Sequence, residues 1–289
     1  MIELAICTTG ERLAAAASVH WIGYPRAQAA IARLEWMLAH PPVLRPPNML
    51  IVGPSNNGKS MIVERFRRMH PPGDSDNGDC EQIPVVIMQM PATPSPMRFY
   101  SALLSALGSP VNSHSSIDRR ERLVLAIMRA AGVRLLIIDE LHNMLSGQVN
   151  QQRQFLNMLR FLGNELRMSL ACLGTKEAYF ALRSDDQLEN RFEPFPLPRW
   201  TNDADLGRLL ASFEASLPLR EPSRLSAPTM RALILRRSEG TIGEMAALLT
   251  AATRLALEQG REHIGPETIA AADYRAPSER RRQFESIIE

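Results

Sequence analysis

The chain has few lysines, few cysteines and no long apolar run. Of its 33 basic residues only Lys59 and Lys176 are lysines, and we interpret this arginine bias as that of a GC-rich genome. Its three cysteines have neither metal-ligand nor CxxC spacing, which favours a reduced cytosol. Because no apolar run reaches about 18 residues and the first residues lack a basic region, we expect no membrane span, no secretory signal and a cytoplasmic location.

The bulk composition fits a globular protein and does not indicate a ligand. A net charge of +2 is too small to indicate nucleic-acid binding by itself. With 289 residues and 45% apolar content, the chain can form one α/β domain of roughly 170–200 residues and a smaller module.

The most specific motif is the octet GPSNNGKS at residues 53–60, which matches GxxxxGK[ST] at every fixed position. A strand-like run (48–52) precedes it and a helix-like run (61–66) follows it, so a chance Gly/Asn turn is the weaker alternative. In this context Lys59 would reach the β- and γ-phosphates of ATP, and the Ser60 hydroxyl would hold Mg²⁺. The predicted nucleotide contacts in this segment are Gly53, Ser55, Asn56, Asn57, Gly58, Lys59, Ser60 and Met61.

A second motif is the apolar run RLLIIDE at residues 134–140. Four consecutive branched aliphatic residues indicate a strand buried on both faces of a parallel sheet. Its two carboxylates then lie at the end of the strand, where open α/β sheets bind ligands. We expect Asp139 to hold Mg²⁺ through water and Glu140 to deprotonate the attacking water, which favours hydrolysis over phosphoryl transfer to a small molecule.

Two further residues are candidates for the hydrolysis step. Thr175 ends the predicted strand 168–175, where a polar side chain can contact the γ-phosphate or the attacking water; a simple strand-end turn is the alternative. Arg191, predicted at a helix end, could project into the site of a neighbouring subunit, with Arg183 as a reserve candidate. A helix-end arginine that offsets the helix dipole is the alternative.

The order of elements predicts an α/β fold: a P-loop NTPase domain of three αβα layers around a parallel sheet, followed by a small helical lid. The predicted strands are 48–52, 84–90, 134–139 and 168–175, and the predicted lid helices are 202–216, 226–238, 241–259 and 266–272. The predicted domains are an N-terminal helical segment (1–47), the ATPase core (48–200), the lid (201–275) and a basic tail (276–289). Tyr24 and Pro25 are candidate adenine contacts, with a place in the core as the alternative.

Seven segments, taken together, carry a family resemblance that covers nearly the whole chain. They are Tyr24-Pro25, the octet 53–60, LIIDELHN (136–143), ENRFEP (189–194), LPRW (197–200), SEGTIGE (238–244) and PSERRR (277–282). In this order they resemble the TniB family of transposition AAA+ ATPases, relatives of TnsC. One departure from the wider AAA+ pattern is Gly243, which stands where many relatives carry an arginine that contacts the γ-phosphate.

The resemblance implies a bacterial, ATP- and Mg²⁺-dependent ATPase. Because glycine stands at position 243, we expect slow basal turnover, stimulated by DNA or partners. The resemblance also implies that the chain oligomerises on double-stranded DNA and recruits the DDE transposase TniA and the adaptor TniQ. By analogy with initiator-type ATPases, the candidate DNA contacts are Thr93, Arg98 and Asn112. Arg119, in the arginine-dense helix at residues 119–122, is a second candidate; a solvated helix face is the alternative. The tail would be a docking segment for a partner; a frayed, solvated end is the alternative.

Three other functions stay open at this point. One is a helicase loader or IstB-like transposition helper, against which the tail and the LPRW segment argue. Another is a small-molecule P-loop kinase, against which the Asp139-Glu140 pair argues. The third is a nucleotide-binding scaffold that barely hydrolyses ATP.

Overall fold

The fold is built around a five-stranded parallel sheet. The structure is a computed structural model that describes residues 8–18, 21–74, 81–183 and 190–288. The strands are β1 (Asn48–Val52), β2 (Gly73–Asp74), β3 (Glu81–Gln82), β4 (Val85–Gln89), β5 (Leu135–Asp139), β6 (Ser169–Gly174) and β7 (Phe192–Pro196). The main sheet has the order β4-β5-β6-β1-β7, and β2 and β3 form a separate antiparallel pair. Every neighbouring pair in the main sheet is parallel.

Twelve α-helices and one 3-10 helix occupy the described residues. The α-helices are α1 (Thr9–Ala17), α2 (Pro25–Ala39), α3 (Lys59–Met69), α4 (Pro96–Ala106), α5 (Ile117–Ala130), α6 (Val149–Leu166), α7 (Lys176–Arg183), α8 (Ala204–Ser216), α9 (Pro228–Ser238), α10 (Ile242–Glu258), α11 (Pro266–Ala271) and α12 (Pro277–Ile288); the 3-10 helix is Leu141–Ser146. Several of these helices begin at residues that favour a helix start. Ser95 and Ser116 cap α4 and α5 through their side chains, and proline stands in the first turn of α4, α9 and α11.

The central strand β5 explains why the sheet is parallel and covered by helices. Residues 135–138 of β5 are completely buried, so both faces of the strand are apolar. Such a strand is stable only where helices cover both faces of the sheet. On one side, the aromatic rings of Phe99 from α4 and Phe155 from α6 meet edge to face in the core, with centroids 5.3 Å apart. The prediction of a parallel α/β sheet followed by a helical module is confirmed.

The fifth strand, β7, was missed by the sequence analysis. It pairs only with β1, and it contains Pro194 and Pro196. Proline cannot donate a ladder hydrogen bond and is tolerated at the edge of a sheet. Because β7 is mostly exposed and contains two prolines, it lacks the apolar run from which a buried strand is predicted from sequence.

The described chain divides into two compact units by its contacts. One comprises residues 29–55 and 59–198 and contains the main sheet; the other comprises residues 1–28, 56–58 and 199–289 and is helical. The bounds of the four domains predicted above stay predictions. In the described residues no helix is both long and apolar enough to cross a membrane.

Candidate nucleotide-binding site

The octet 53–60 forms a loop between the end of β1 and the start of α3. Gly58 has a φ of +82°, a left-handed conformation in which glycine is favoured because it has no Cβ. Asn56 also has a positive φ, of 58°, which asparagine tolerates better than most residues. The motif thus adopts the strand–loop–helix arrangement that the sequence predicts. Ser55 is exposed in this loop, and Met61 lies in the first turn of α3.

Lys59 is buried within this loop, with 6% of its surface exposed. Its Nζ atom donates hydrogen bonds to the carbonyl oxygens of Gly53 and Pro54, at 2.9 and 2.8 Å. Burial lowers the pKa of Lys59, and the negative charges of Glu140 and Asp139 act in the opposite direction. The ammonium group is therefore close to both carboxylates and is held by carbonyls that phosphate oxygens can replace.

Ser60 and Asp139 meet although 79 residues separate them. The Ser60 hydroxyl donates a 2.5 Å hydrogen bond to Oδ2 of Asp139. The sheet explains the meeting: β1 and β5 both pair in parallel with β6, so their carboxyl ends share one edge. The two residues assigned to Mg²⁺ thus place oxygen atoms side by side.

Glu140 follows Asp139 in a left-handed backbone conformation, with φ 57° and ψ 39°. Such a conformation costs energy in a non-glycine residue and is common at functional sites. Oε2 of Glu140 lies 3.0 Å from Nε2 of His142, in the 3-10 helix that follows. His142 was not singled out in the sequence analysis, although its place two residues after Glu140 could have drawn attention to it.

Thr175 lies directly after β6, the strand next to β5. Its hydroxyl is hydrogen-bonded to the carboxylate of Glu177, an interaction that lowers the pKa of Glu177. Thr175 therefore lies at the same edge of the sheet as Glu140, and in this state its hydroxyl has a protein partner. The reserve candidate Arg183 is the last residue of α7 and lies near the ring of Tyr179.

Arg191 lies in the turn before β7, at the end of the sheet opposite the phosphate loop, and its predicted place at a helix end stays a prediction. It occupies the turn before β7, because the extended chain from Phe192 onward pairs with β1 from Asn48. Burial and the nearby charges of Arg45 and Arg160 lower the pKa of Arg191. Residues 184–189, which contain most of the predicted helix end, lie outside the described residues.

Tyr24 and Pro25 precede and begin α2. Tyr24 is 7% exposed, and burial raises its pKa to about 12. Its ring packs edge to face against Trp200, with centroids 5.0 Å apart. Tyr24 is therefore a core residue of the helical unit; its role toward adenine stays a prediction.

The candidate DNA contacts Thr93, Arg98, Asn112 and Arg119 are all exposed. Arg120, which is buried, organises their surroundings. Its guanidinium donates hydrogen bonds to the carbonyl oxygens of Asn112 (2.9 Å) and Ser113 (3.1 Å), and to the Ser101 hydroxyl on α4. Arg120 thereby joins the loop before α5 to the beginning of α4.

Gly243 lies in the first turn of α10, where the side chain of Asn56 leaves no room for a Cβ atom. A Cβ atom added to Gly243 would lie 1.9 Å from the side-chain oxygen of Asn56. Asn56 in turn donates a 3.1 Å hydrogen bond to the buried carboxylate of Glu244. The arginine found in many AAA+ relatives therefore does not fit at this position while Asn56 keeps this conformation.

Glu244 also joins the C-terminal helix to this cluster. It accepts hydrogen bonds from the Tyr274 hydroxyl (2.8 Å) and from Arg280 of α12 (2.6 Å). The first turns of the predicted tail are thus a helix anchored to a buried carboxylate, whereas Phe284, Ile287 and Ile288 at its end are exposed.

Comparison with known proteins decides the family. The family described as "TniB: Bacterial TniB protein" matches residues 12–202, about two thirds of the chain. The chain belongs to the TniB family. No curated protein matches this TniB-family chain.

The fold of this TniB-family chain is also found in solved structures of ORC and Cdc6 proteins. ORC1 of Aeropyrum pernix, solved in complex with DNA, has a TM-score of 0.62 and 19% identity over 86% of this chain and 65% of its own. ORC2 of the same organism, solved in ADPNP–ADP complexes, has a TM-score of 0.61 and 15% identity over 87% and 69%. Cdc6p of Pyrobaculum aerophilum has a TM-score of 0.62 and 15% identity over 88% and 68%.

These comparisons confirm the predicted TniB family and AAA+ fold. The chain spans about two thirds of the length of these ORC and Cdc6 proteins, and at this level of identity the likeness concerns the fold alone. The assigned roles of the individual site residues stay predictions.

Replacement of Gly243 by alanine in this TniB-family chain should lower the stability of the helical unit. The new methyl group would displace the Asn56 side chain and break its hydrogen bond to Glu244, at a cost of about 1–2 kcal/mol. Gly10→Ala is the matched control, because Gly10 is also helical and has nothing within 4 Å of an added Cβ. Chemical denaturation should show destabilisation only for Gly243→Ala. In an Asn56→Gly background, which already lacks the hydrogen bond to Glu244, Gly243→Ala should cause little further loss. Equal stabilities of both single variants would contradict this interpretation.

Proposed function

We propose that this chain is an ATP-dependent, DNA-binding regulator of transposition that assembles on target DNA. The observation that carries the proposal is the convergence of Lys59, Ser60, Asp139 and Glu140 at one edge of the sheet in a TniB-family chain. The phosphate loop, the hydroxyl and the two carboxylates are the groups that ATP binding and hydrolysis require.

The proposed cofactor is ATP with Mg²⁺. Lys59 would exchange the carbonyl oxygens of Gly53 and Pro54 for the β- and γ-phosphate oxygens, which are stronger acceptors because they are charged. The donors at Ser60 and Asp139 fit Mg²⁺, which prefers hard oxygen ligands and commonly binds one or two protein groups together with substrate phosphates. When bound, Mg²⁺ would neutralise charge on the triphosphate.

Hydrolysis would proceed by attack of water on the γ-phosphorus while the bond to the ADP oxygen breaks. Glu140 would accept the proton that the water loses, and inorganic phosphate and ADP would leave. Thr175 would contact the γ-phosphate or the water once its hydroxyl exchanges Glu177 for that partner. We infer a slow, DNA-stimulated turnover, because no arginine stands at position 243 of the helical unit to contact the γ-phosphate.

The position of Arg191 supports a role between subunits. Phe192, the residue after Arg191, pairs with Asn48 at the start of β1. The phosphate loop begins at Gly53, five residues further along β1 from Asn48. At the rise of an extended strand, roughly 16 Å therefore separates Arg191 from the start of its own loop. An arginine so placed is too far from its own phosphate loop to contact it, and its guanidinium donates a 2.9 Å hydrogen bond to Oδ1 of Asn164. Arg45 and Arg160 lie close enough to disfavour its charge, which makes this edge suited to an anionic group such as a neighbour's γ-phosphate.

The proposed DNA surface consists of Thr93, Arg98, Asn112 and Arg119. Arg98 and Arg119 stand in the first turns of α4 and α5, and Arg120 holds these two turns together. Helix N-termini carry partial positive charge, and with exposed arginines they bind DNA phosphates without reading sequence. That the related fold of ORC1 was solved with DNA makes DNA a reasonable ligand for this fold.

We further propose that the assembled chain recruits the transposase TniA and the adaptor TniQ. Helix α12 would take part through its exposed end, where Phe284, Ile287 and Ile288 form an apolar surface beside Arg281 and Arg282. Its first turns cannot serve the same purpose, because Arg280 is engaged by Glu244.

Replacement of Lys59 by alanine should weaken ATP binding. The loss of charge-assisted hydrogen bonds to the phosphates should cost roughly 2–3 kcal/mol, or about 30- to 150-fold in affinity. Lys176→Ala is the control, because Lys176 is the other lysine of the chain and lies exposed on α7. Titration of a non-hydrolysable ATP analogue measures both variants, and wild-type affinity of Lys59→Ala would contradict the phosphate-loop assignment.

Replacement of both Arg98 and Arg119 by alanine should weaken binding to duplex DNA of any sequence. Each lost phosphate contact should reduce the slope of log K against log salt by about 0.9. The control is Arg68→Ala, an exposed helical arginine that pairs with Glu64. Fluorescence anisotropy over a salt series tests this, and an unchanged slope in the double variant would place the DNA surface elsewhere.

Replacement of Arg191 by alanine should lower ATP hydrolysis by about 100-fold or more and leave ATP affinity nearly unchanged. The variant should regain activity when mixed with Glu140→Gln, because some interfaces then join an intact Glu140 to an intact Arg191. Phosphate release is measured across mixing ratios with mixed oligomers confirmed. Absence of rescue at every ratio would show that Arg191 does not act between subunits.

A further inference from the structure

The contact between Glu140 and His142 has no place in the mechanism proposed so far. Oε2 of Glu140 and Nε2 of His142 are 3.0 Å apart, and both side chains are partly buried. Neither the phosphate loop nor the proposed arginine finger accounts for a histidine at this point.

The surroundings of His142 define which ring nitrogen carries the proton. Its Nδ1 atom is buried and has no hydrogen-bond partner within the part of the chain that the structure describes. A proton on Nδ1 would be an unsatisfied buried donor, which is costlier than an unused lone pair. Nε2 therefore carries the proton of the contact and donates it in a hydrogen bond to the Glu140 carboxylate.

The backbone around His142 is fixed on both sides. Asn143, the next residue, donates hydrogen bonds from its side chain to the carbonyl oxygen of Met90 (3.1 Å) and from its backbone to that of Glu140 (2.9 Å). On the other side, a Cβ atom at Gly174 would lie 3.9 Å from the backbone nitrogen of His142. The imidazole is thus carried by a turn that is packed between two strand ends.

The carboxylate of Glu140 lies near the phosphate loop while it contacts His142. Its charge and that of Asp139 both act on the Lys59 ammonium. The hydrogen bond to Oε2 leaves Oε1 as the oxygen available to a water at the γ-phosphate. The contact therefore limits the movement of the Glu140 carboxylate near Lys59.

We propose that His142 is a positioning residue for ATP hydrolysis, which holds the general base Glu140 through its Nε2 proton. The inference rests on the proposed hydrolysis and on the role of Glu140 in it. His142 touches neither ATP nor the attacking water; it removes rotamer freedom from the residue that does.

The test compares His142→Ala, His142→Phe and His142→Gln in the full chain with duplex DNA present. Alanine and phenylalanine lack a donor and should lower kcat by about 10- to 100-fold, with unchanged affinity for a non-hydrolysable ATP analogue. Glutamine offers an amide donor and should restore at least part of the lost turnover. A merely structural role would instead lower analogue affinity in every variant, without rescue by glutamine.

The matched control is His263→Ala. His263 forms the same type of contact with Glu221, at 3.1 Å, but outside the site, so its loss should leave kcat unchanged. Glu140→Gln separates this inference from the proposed function, because wild-type turnover in that variant would refute Glu140 as the base. Combining His142→Ala with Glu140→Gln should give no further loss. Unchanged or raised turnover in His142→Ala, with Glu140→Gln inactive, would overturn the positioning role alone.

Discussion

The hydrogen bond between Ser60 and Asp139 is the interaction on which the candidate nucleotide site depends. It joins the first turn of α3 to the end of β5, and it forms because both β1 and β5 run parallel to β6. Parallel strands place their carboxyl ends at one edge, so residues far apart in sequence become neighbours there. Glu140 and Thr175 reach the same edge for the same reason, and Arg191 is excluded from it because it precedes its strand.

A second feature of the site is that three of its candidate groups have partners within the protein. Lys59 is held by two carbonyl oxygens, Thr175 by Glu177, and Glu140 by His142. Under the proposed function, the first two contacts would be exchanged for nucleotide contacts, whereas the third would persist. An exchange of this kind would suit a nucleotide-dependent switch.

Local sequence was enough to predict the phosphate loop, the buried strand β5 and the parallel α/β fold, because each is encoded by a short contiguous pattern. The strand β7 escaped prediction because Pro194 and Pro196 hide an edge strand. Sequence gave no sign that Asn56 would meet Glu244, since 188 residues separate them and the contact depends on tertiary packing. The place of Thr175 beside Glu140 depends on which strand ends are adjacent, and the order of the sheet decides this. His142 lies only two residues after Glu140, so its place could have been noticed in the sequence.

The most direct test of the central claim is calorimetric titration of ATP in the presence of Mg²⁺ and in the presence of a chelator. If Ser60 and Asp139 present oxygen atoms to the metal beside the phosphates that Lys59 binds, the wild-type chain should bind ATP more tightly with Mg²⁺. Asp139→Asn, which keeps an acceptor for the Ser60 hydroxyl but loses the charge, should retain only the metal-independent affinity. Equal affinity of the wild-type chain with and without Mg²⁺, or an unchanged metal effect in Asp139→Asn, would contradict the account.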